Sequence, residues 1–338
     1  MHISADTPFM RSFFRKSPFG ASLFMAIVIY TLILLAVLLT AVLLGAVYAY
    51  RKAFYHRNNR LKPDKTYTNE EPYNAIREKL KSWTDALAAV PFEPVTIRST
   101  AGKRLFGRYY HVADGAPLYI EFHGYKGTAF RDFSGGDPFA RRIGSNTLLV
   151  DQRAHGDSEG HTITFGVLER LDCLEWVKYA VARFGKDQKI FLSGISMGAA
   201  TVLMASDLPL PPNVVGIIAD SPYSSPKEIL MKVCRVDMGL PARAIYPLLC
   251  LGARLFGHFR IHGGAIESVR KTQIPLLILH GEGDGFVPMD MSRRIADAAA
   301  SDVTLVTFRD ADHCLGYVIH PQEYEEALNA FIDRCLGA

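Results

Sequence analysis

Residues 191–203 read FLSGISMGAATVL: an apolar run, a serine between two glycines, then a run of small residues. The pentapeptide Gly194-Ile195-Ser196-Met197-Gly198 follows a β-type stretch, KIFLSG, and precedes a helical one, AATVLMAS. A chain that turns sharply from strand to helix at Ser196 leaves no room for side chains at 194 and 198. It also lifts the serine hydroxyl above the end of the sheet. The helix that begins there favours negative charge developing beside the serine. The pentapeptide alone is only moderately specific, because a serine between glycines also makes an ordinary tight turn. The rest of the chain has to supply its chemical partners.

After Pro94 the sequence offers eight β-type runs: VTIRS, RLFGRYY, PLYIEFH, NTLLVDQ, KIFLSG, VVGIIAD, PLLILH and VTLVTF. The last six are mostly continuous apolar runs, as expected of strands covered on both faces. Helical patterns at 164–185, 291–300 and 321–335 lie between or after them. This alternation predicts an α/β domain over 90–336, with a mostly parallel eight-stranded sheet flanked by helices. The first two strands, with no helix between them, are expected to form an antiparallel hairpin edge. Residues 224–271 are too long for a simple connection and read as a helical lid insertion. Its Tyr246, Leu248, Leu249, Leu251, Leu255 and Phe256 are candidates to line a pocket, to touch lipid, or to pack over the sheet.

A neutral serine needs a base, and the base needs an orienting acid. In sheets of this kind the chain order is serine, acid, histidine. Asp284 lies in GEGDGFVP, directly after PLLILH; His313 lies in RDADHC, after VTLVTF. Both fall where open α/β sheets assemble their sites. The expected roles are therefore Ser196 as nucleophile, Asp284 as acid and His313 as base. Glu282 is the alternative acid, and Asp310 and Asp312 read as capping or solvating their loop. His313 by itself would be an ordinary loop histidine; its order with Ser196 and Asp284 at successive strand ends singles it out. Two backbone N–H groups should hold the oxyanion, those of Met197 and of Tyr125 in EFHGYKG. Gly124 allows close approach there, and His123 is expected to fix the loop. DQRAHGDSEG (151–160), with Asp151, Arg153, His155 and Ser158, reads as a hydrogen-bonded scaffold, because a catalytic His155 would precede the serine.

The N-terminal part has a different texture. No charged side chain occurs from Ser17 to Tyr50. About 20 apolar residues cross a bilayer, whereas a signal-peptide core needs only roughly 7–15. Residues 21–50 are thus expected to be a transmembrane anchor after a tail at 1–20, with aromatic residues at both ends. Six Lys/Arg follow within residues 51–65 against three before the span, which favours a cytoplasmic main domain. Residues 51–89 read as a basic linker followed by an amphipathic helix. Thr68–Glu71 would be its capping box with Pro72 in the first turn, and Ile76, Leu80, Trp83 and Leu87 its domain-facing stripe.

The formal net charge of +4 comes from this N-terminal part. Residues 1–65 hold nine basic and two acidic side chains, leaving 29 basic and 32 acidic for the remainder. A globular part with that balance is not a nucleic-acid surface. The five cysteines have no metal-type spacing and read as free thiols, which fit a reducing compartment slightly better. Neither metal nor organic cofactor is expected.

Taken together, HGYKG, DQRAHGDSEG, GISMG, GEGDGFVP and DADHC, in this order, resemble the α/β-hydrolase superfamily over roughly residues 90–336. They look most similar to membrane-anchored bacterial serine hydrolases, the BEM46-type proteins and the serine aminopeptidase-like group. The resemblance implies an α/β-hydrolase fold and hydrolysis through an acyl-enzyme, using Ser196, Asp284 and His313 with Tyr125 and Met197 as oxyanion donors. The loop reads H-G-Y rather than the H-G-G-G of many lipases, which weakens a typical lipase assignment. An ester or thioester of a hydrophobic acyl group is the expected substrate, since the anchor holds the site near lipids. A peptidase or amidase with the same triad is the alternative. A catalytically silent membrane-bound scaffold is the alternative from another class.

Overall fold

Six apolar runs lie side by side as parallel strands in the computed structural model, which describes residues 18–57 and 73–337. The strands are β1 (Glu93–Arg98), β2 (Arg104–Tyr110), β3 (Leu118–Phe122), β4 (Asn146–Asp151), β5 (Ile190–Ile195), β6 (Val214–Asp220), β7 (Leu276–Gly281) and β8 (Val303–Phe308). Their order in the sheet is β1-β2-β4-β3-β5-β6-β7-β8. The hairpin β1–β2 and the pairing of β2 with β4 are antiparallel; every other neighbouring pair is parallel. This is the eight-stranded, mostly parallel sheet with a hairpin edge that the sequence predicts.

Helices cover both faces, which is why the central strands can be apolar on both sides. On one face α5 (Glu169–Phe184), α6 (Met197–Ala205), α9 (Ala265–Val269) and α10 (Asp290–Ala298) bury Leu148, Trp176, Leu192, Leu203 and Ile278. On the other, α4 (Asp137–Arg142) and α12 (Pro321–Leu336), which follows the one-turn α11 (Gly316–Ile319), pack over Tyr119, Phe191, Ile218 and Phe308. Beside them α2 (Tyr73–Ala88) and α3 (Ala129–Phe133) share a small core of Leu87, Phe133, Tyr110 and Leu149. The capping box expected at Thr68–Glu71 and Pro72, and the N-terminal tail, lie outside the described residues.

Helix α5 starts later than the pattern from 164 suggests. The Glu169 carboxylate accepts the N–H groups of Thr164 (2.8 Å) and Gly166 (2.9 Å), and Phe165 sits at φ 56°. Those backbone donors are satisfied in a loop, so the segment before Glu169 does not wind into the helix.

Helix α1 (Pro18–Ala53) is one continuous helix of 36 residues, longer than the expected 21–50. Its apolar window is long enough to cross a membrane. Thr31 and Thr40 donate their hydroxyls to the carbonyls of Ile27 and Ala36 (2.8 Å each), so neither is left unpaired. The large apolar side chains from Leu23 to Leu44 are exposed, but Ala46, Ala49 and Phe54 are buried. The change occurs because the 224–271 insertion meets the helix there.

The 224–271 insertion is helical as expected, with α7 (Pro226–Lys232) passing through a π-helical turn (Val233–Asp237), then α8 (Ala242–Leu255) and α9. Of the six apolar residues named as candidates to line a pocket, none lines the cavity beside Ser196. Helix α8 packs on the last turns of α1 instead. A Cβ at Gly252 would stand 2.6 Å from the Ala46 carbonyl oxygen, and one at Gly45 would stand 3.1 Å from Leu248. Small residues on both helices allow that close approach. Tyr246, Leu248 and Leu249 belong to the cluster that includes Ala49 and Phe54; Leu255 faces outward, and the part-exposed Phe256 ring lies 5.8 Å from that of Tyr50.

Candidate active site

The turn between β5 and α6 holds Ser196 at φ 55°, ψ −110°, an uncommon backbone conformation for a residue with a side chain. The flanking glycines make it feasible. A Cβ at Gly194 would lie 2.3 Å from the Gly198 carbonyl carbon, and one at Gly198 would lie 1.7 Å from the Phe122 oxygen. The Ser196 N–H donates to the Asp220 carbonyl at 2.8 Å, tying the turn to β6. The hydroxyl emerges at the C-terminal edge of the sheet.

His313 and Asp284 reach that hydroxyl from the loops after β8 and β7. His313 Nε2 is 2.9 Å from Ser196 Oγ, and its Nδ1 is 2.7 Å from Asp284 Oδ2. Asp284 has a fully buried side chain. Its Oδ1 accepts the N–H groups of Phe286 (2.9 Å) and Val287 (2.7 Å). Burial opposes the charge, but hydrogen bonds from His280 and His313 outweigh it and hold the carboxyl well below the usual carboxylate range. An ionised Asp284 keeps the proton on His313 Nδ1 and leaves Nε2 as the acceptor facing the serine. Glu282, the alternative acid, is exposed and accepts the Thr307 hydroxyl at 2.8 Å. Asp312 caps its loop, accepting the N–H groups of Gly285 (3.1 Å) and His313 (2.6 Å).

Two contributors escape a sequence reading. His280, at the end of β7, is buried with Nε2 3.1 Å from Asp284 Oδ2 and 3.0 Å from the Val287 carbonyl. Both are acceptors, so Nε2 carries hydrogen, and Nδ1 takes the Ser292 hydroxyl at 2.6 Å. A histidine inside an apolar strand reads as core; its spacing of four from Asp284 was the available signal. Tyr73, from α2, donates its hydroxyl to the His313 carbonyl at 2.7 Å.

The loop after β3 carries Gly124 and Tyr125. Gly124 N–H donates to Asp132 Oδ2 at 2.7 Å, and Lys126, at φ 51°, donates its N–H to His155 Nε2 at 3.1 Å. Between them, the Tyr125 N–H has no acceptor among the described residues. Met197 stands at the first position of α6, where an N–H has no intrahelical partner. His123 is buried, its Nδ1 2.8 Å from the Gly124 carbonyl and its Nε2 accepting the Gln152 N–H at 3.1 Å. Burial, with the nearby His123 and His56, pushes His155 well below its ordinary value. Both histidines act as neutral brackets for the loop. Arg153 makes a buried bidentate pair with Asp172 (2.7 Å for each bond), and Ser158 Oγ accepts the Phe106 N–H (2.8 Å). The 151–160 segment is therefore a scaffold in the structure.

A cavity of about 690 Å³ opens beside Ser196 and His313. Leu80, Trp83, Phe133, Phe139, Ile218 and Leu328 give it an apolar wall. Its floor on the sheet is polar: Glu121 and Ser193 are register partners on β3 and β5, and both face it. Ser193 lies three residues before Ser196, roughly 10 Å deeper along the strand. Burial pushes the Glu121 carboxyl up to about 8, with the charge of Asp137 adding to the effect. Among the described residues no cluster of three or more His, Cys, Asp or Glu side chains is arranged to hold a metal ion.

Comparison with known proteins agrees with this architecture. A family model described as the alpha/beta hydrolase family matches residues 122–327. Over 193 residues the chain is 25% identical to the uncharacterized protein YqkD of Bacillus subtilis, covering 57% of this chain and 63% of that protein. It is 27% identical over 216 residues to the lysophosphatidylserine lipase ABHD12 of Danio rerio, covering 60% of this chain and 53% of that protein. The chain thus spans less than two thirds of the length of these relatives. Among solved structures, the Pyrococcus furiosus esterase Pf2001 superposes with a TM-score of 0.62 at 21% identity, covering 83% of this chain and 98% of its own. Est1E of Butyrivibrio proteoclasticus with bound ferulic acid gives 0.55 at 22% identity, covering 72% and 100%. At these identities the structural likeness concerns the fold.

Proposed function

Since this chain belongs to the alpha/beta hydrolase family, we propose that it is a membrane-anchored serine hydrolase that cleaves carboxylic ester or thioester bonds through an acyl-enzyme. The observation that carries this reading is the relay from Ser196 Oγ through His313 (2.9 Å and 2.7 Å) to the buried Asp284. His313 Nε2 takes the serine proton as Oγ attacks the substrate carbonyl. The N–H groups of Tyr125 and Met197 hold the oxyanion; one such donor contributes about 3–4 kcal/mol to the barrier reduction. His313 then returns the proton to the departing alcohol or thiol. Water, deprotonated by the same imidazole, releases the acid and restores Ser196.

The substrate reading is a lipid-like monoacyl ester. The apolar cavity accommodates an acyl chain, α1 keeps the domain at a lipid surface, and a relative is a lysophosphatidylserine lipase. The basic segment after α1 favours a cytoplasmic catalytic domain. The test is labelling of the full chain by a fluorophosphonate, with turnover of matched p-nitrophenyl esters, thioesters and anilides. We expect labelling and ester turnover that disappear in Ser196→Ala while the fold persists by circular dichroism. A wild-type protein that is folded, unlabelled and inactive on every acyl donor would instead be a binding protein. Preferred cleavage of anilides would make it an amidase.

A further inference from the structure

The end of α1 does more than hold the domain at a surface: it is bonded to the oxyanion loop. Tyr125 donates its hydroxyl to the Ala53 carbonyl at 2.8 Å, at the last turn of the helix. Its ring stacks on Phe165 (5.0 Å), and Phe165 meets Phe54 edge-on (5.8 Å). Phe54 is completely buried and also packs edge-on against Phe259 at 5.3 Å. The chain leaving the helix is then stitched to the 161–163 segment. Ile163 N–H donates to the Phe54 carbonyl (2.8 Å), His56 N–H to the His161 carbonyl (2.8 Å), and Tyr50 and Thr162 share a hydroxyl bond (2.8 Å). His56 Nδ1 donates to the Ala154 carbonyl at 2.7 Å, and its ring lies 4.9 Å from His155, which accepts the Lys126 N–H.

The loop that presents the unpartnered Tyr125 N–H is therefore gripped on both sides by contacts leading to residues 50–56. An N–H serves an oxyanion only if it is held in place before the charge develops. The loop is anchored at Gly124 and Lys126 and closed by the Gly127 N–H to Gly124 carbonyl bond (3.1 Å), and the Tyr125 side chain between those anchors is held by Ala53 and Phe165. We propose that residues 50–56 are a positioning element of the active site, so that the docked end of α1 sets the rate of the chemical step by fixing the Tyr125 N–H. The inference rests on the hydrolase reading above and adds to it: the helix is part of the catalytic apparatus, not only a tether.

The test uses the full chain in detergent micelles, with active sites counted by fluorophosphonate burst and rates given per titrated site. Tyr125→Phe keeps the ring on Phe165 and deletes only the hydroxyl's bonds to the end of α1, to the Ala53 carbonyl at 2.8 Å and the Lys52 carbonyl at 3.5 Å. We expect kcat for p-nitrophenyl butyrate to fall about tenfold, a fraction of the loss from removing a donor outright. KM should stay within about twofold, because the ester pocket is untouched. Phe54→Ala should lower kcat at least as far, and Phe54→Leu should restore most of it. Leu32→Ala, on the exposed apolar part of α1, should leave both constants unchanged. Equal kcat per site in wild type, Tyr125→Phe and Phe54→Ala, whatever their melting temperatures, would overturn the proposal and leave a purely structural contact. Ser196→Ala separates the two readings. If it is inactive while the other variants keep full kcat, only the positioning role is lost; if it retains turnover, the hydrolase reading itself is lost.

Discussion

Helices α2 and α8 both turn an apolar stripe toward the rest of the molecule, yet they do different work. The contact face of α8 includes Gly252, Ala253 and Leu249, and it meets Gly45, Ala46 and Ala49 of α1. Small residues on both partners let the helices close on each other and leave no space between them. The face of α2 carries Tyr73, Leu80 and Trp83. Trp83 is stopped on Gly135, where a Cβ would lie 2.9 Å from its ring, and it stands beside Tyr317 (5.9 Å). Bulky side chains propped in this way hold α2 off the sheet, and the gap is the cavity beside Ser196. A stripe of small residues thus makes a joint, and a stripe of large ones makes a wall.

Weakening the joint should have the largest effect. Leu249→Ala removes a buried side chain in the α8–α1 cluster and should lower unfolding stability by about 3 kcal/mol, read by thermal or urea unfolding in detergent. Turnover of long-chain and short-chain esters should change in the same proportion. A change in chain-length preference would show that α8 shapes the substrate pocket after all.

Opening the wall comes next. Trp83→Ala enlarges the cavity on the side of α2, and kcat/KM for a long-chain ester should fall about tenfold relative to acetate. Loss on both esters alike would mean that Trp83 supports the fold and does not contact the acyl group.

The smallest effect concerns the floor of the cavity. Burial raises Glu121 from 4.5 to about 8, so the folded chain keeps a proton that the unfolded chain releases between those values. Stability therefore declines as pH rises through that window, because the folded chain gives up the proton at a higher pH than the unfolded chain does. Glu121→Gln should flatten the decline, measured as the difference in urea midpoint between pH 5 and pH 8 relative to wild type. An unchanged slope would assign the pH dependence to another group.

The sheet was legible because β-type runs and helical patterns alternate along the chain, and covered strands have to be apolar on both faces. The meeting of Ser196, Asp284 and His313 was legible as an expectation because each follows a strand, and parallel strands bring their C-terminal ends to one edge. The partner of α8 was not, since an apolar stripe carries no label for what covers it. The part played by α2 depends on a gap, which is a property of several elements at once. His280 was hidden because burial in β7 disguises it as core, and its bond to Asp284 exists only once the loop has folded back. The grip of Ala53 on Tyr125 joins residues 72 positions apart through a main-chain oxygen, an atom every residue carries.

Helix α1 has no hinge between its exposed turns and those locked under α8. Were its outer part, long and apolar enough to span, to lie in a bilayer, the α/β domain would lean as the helix leans. A thicker or thinner membrane, by changing the angle at which the helix matches it, would rotate the mouth of the cleft toward or away from the lipid headgroups.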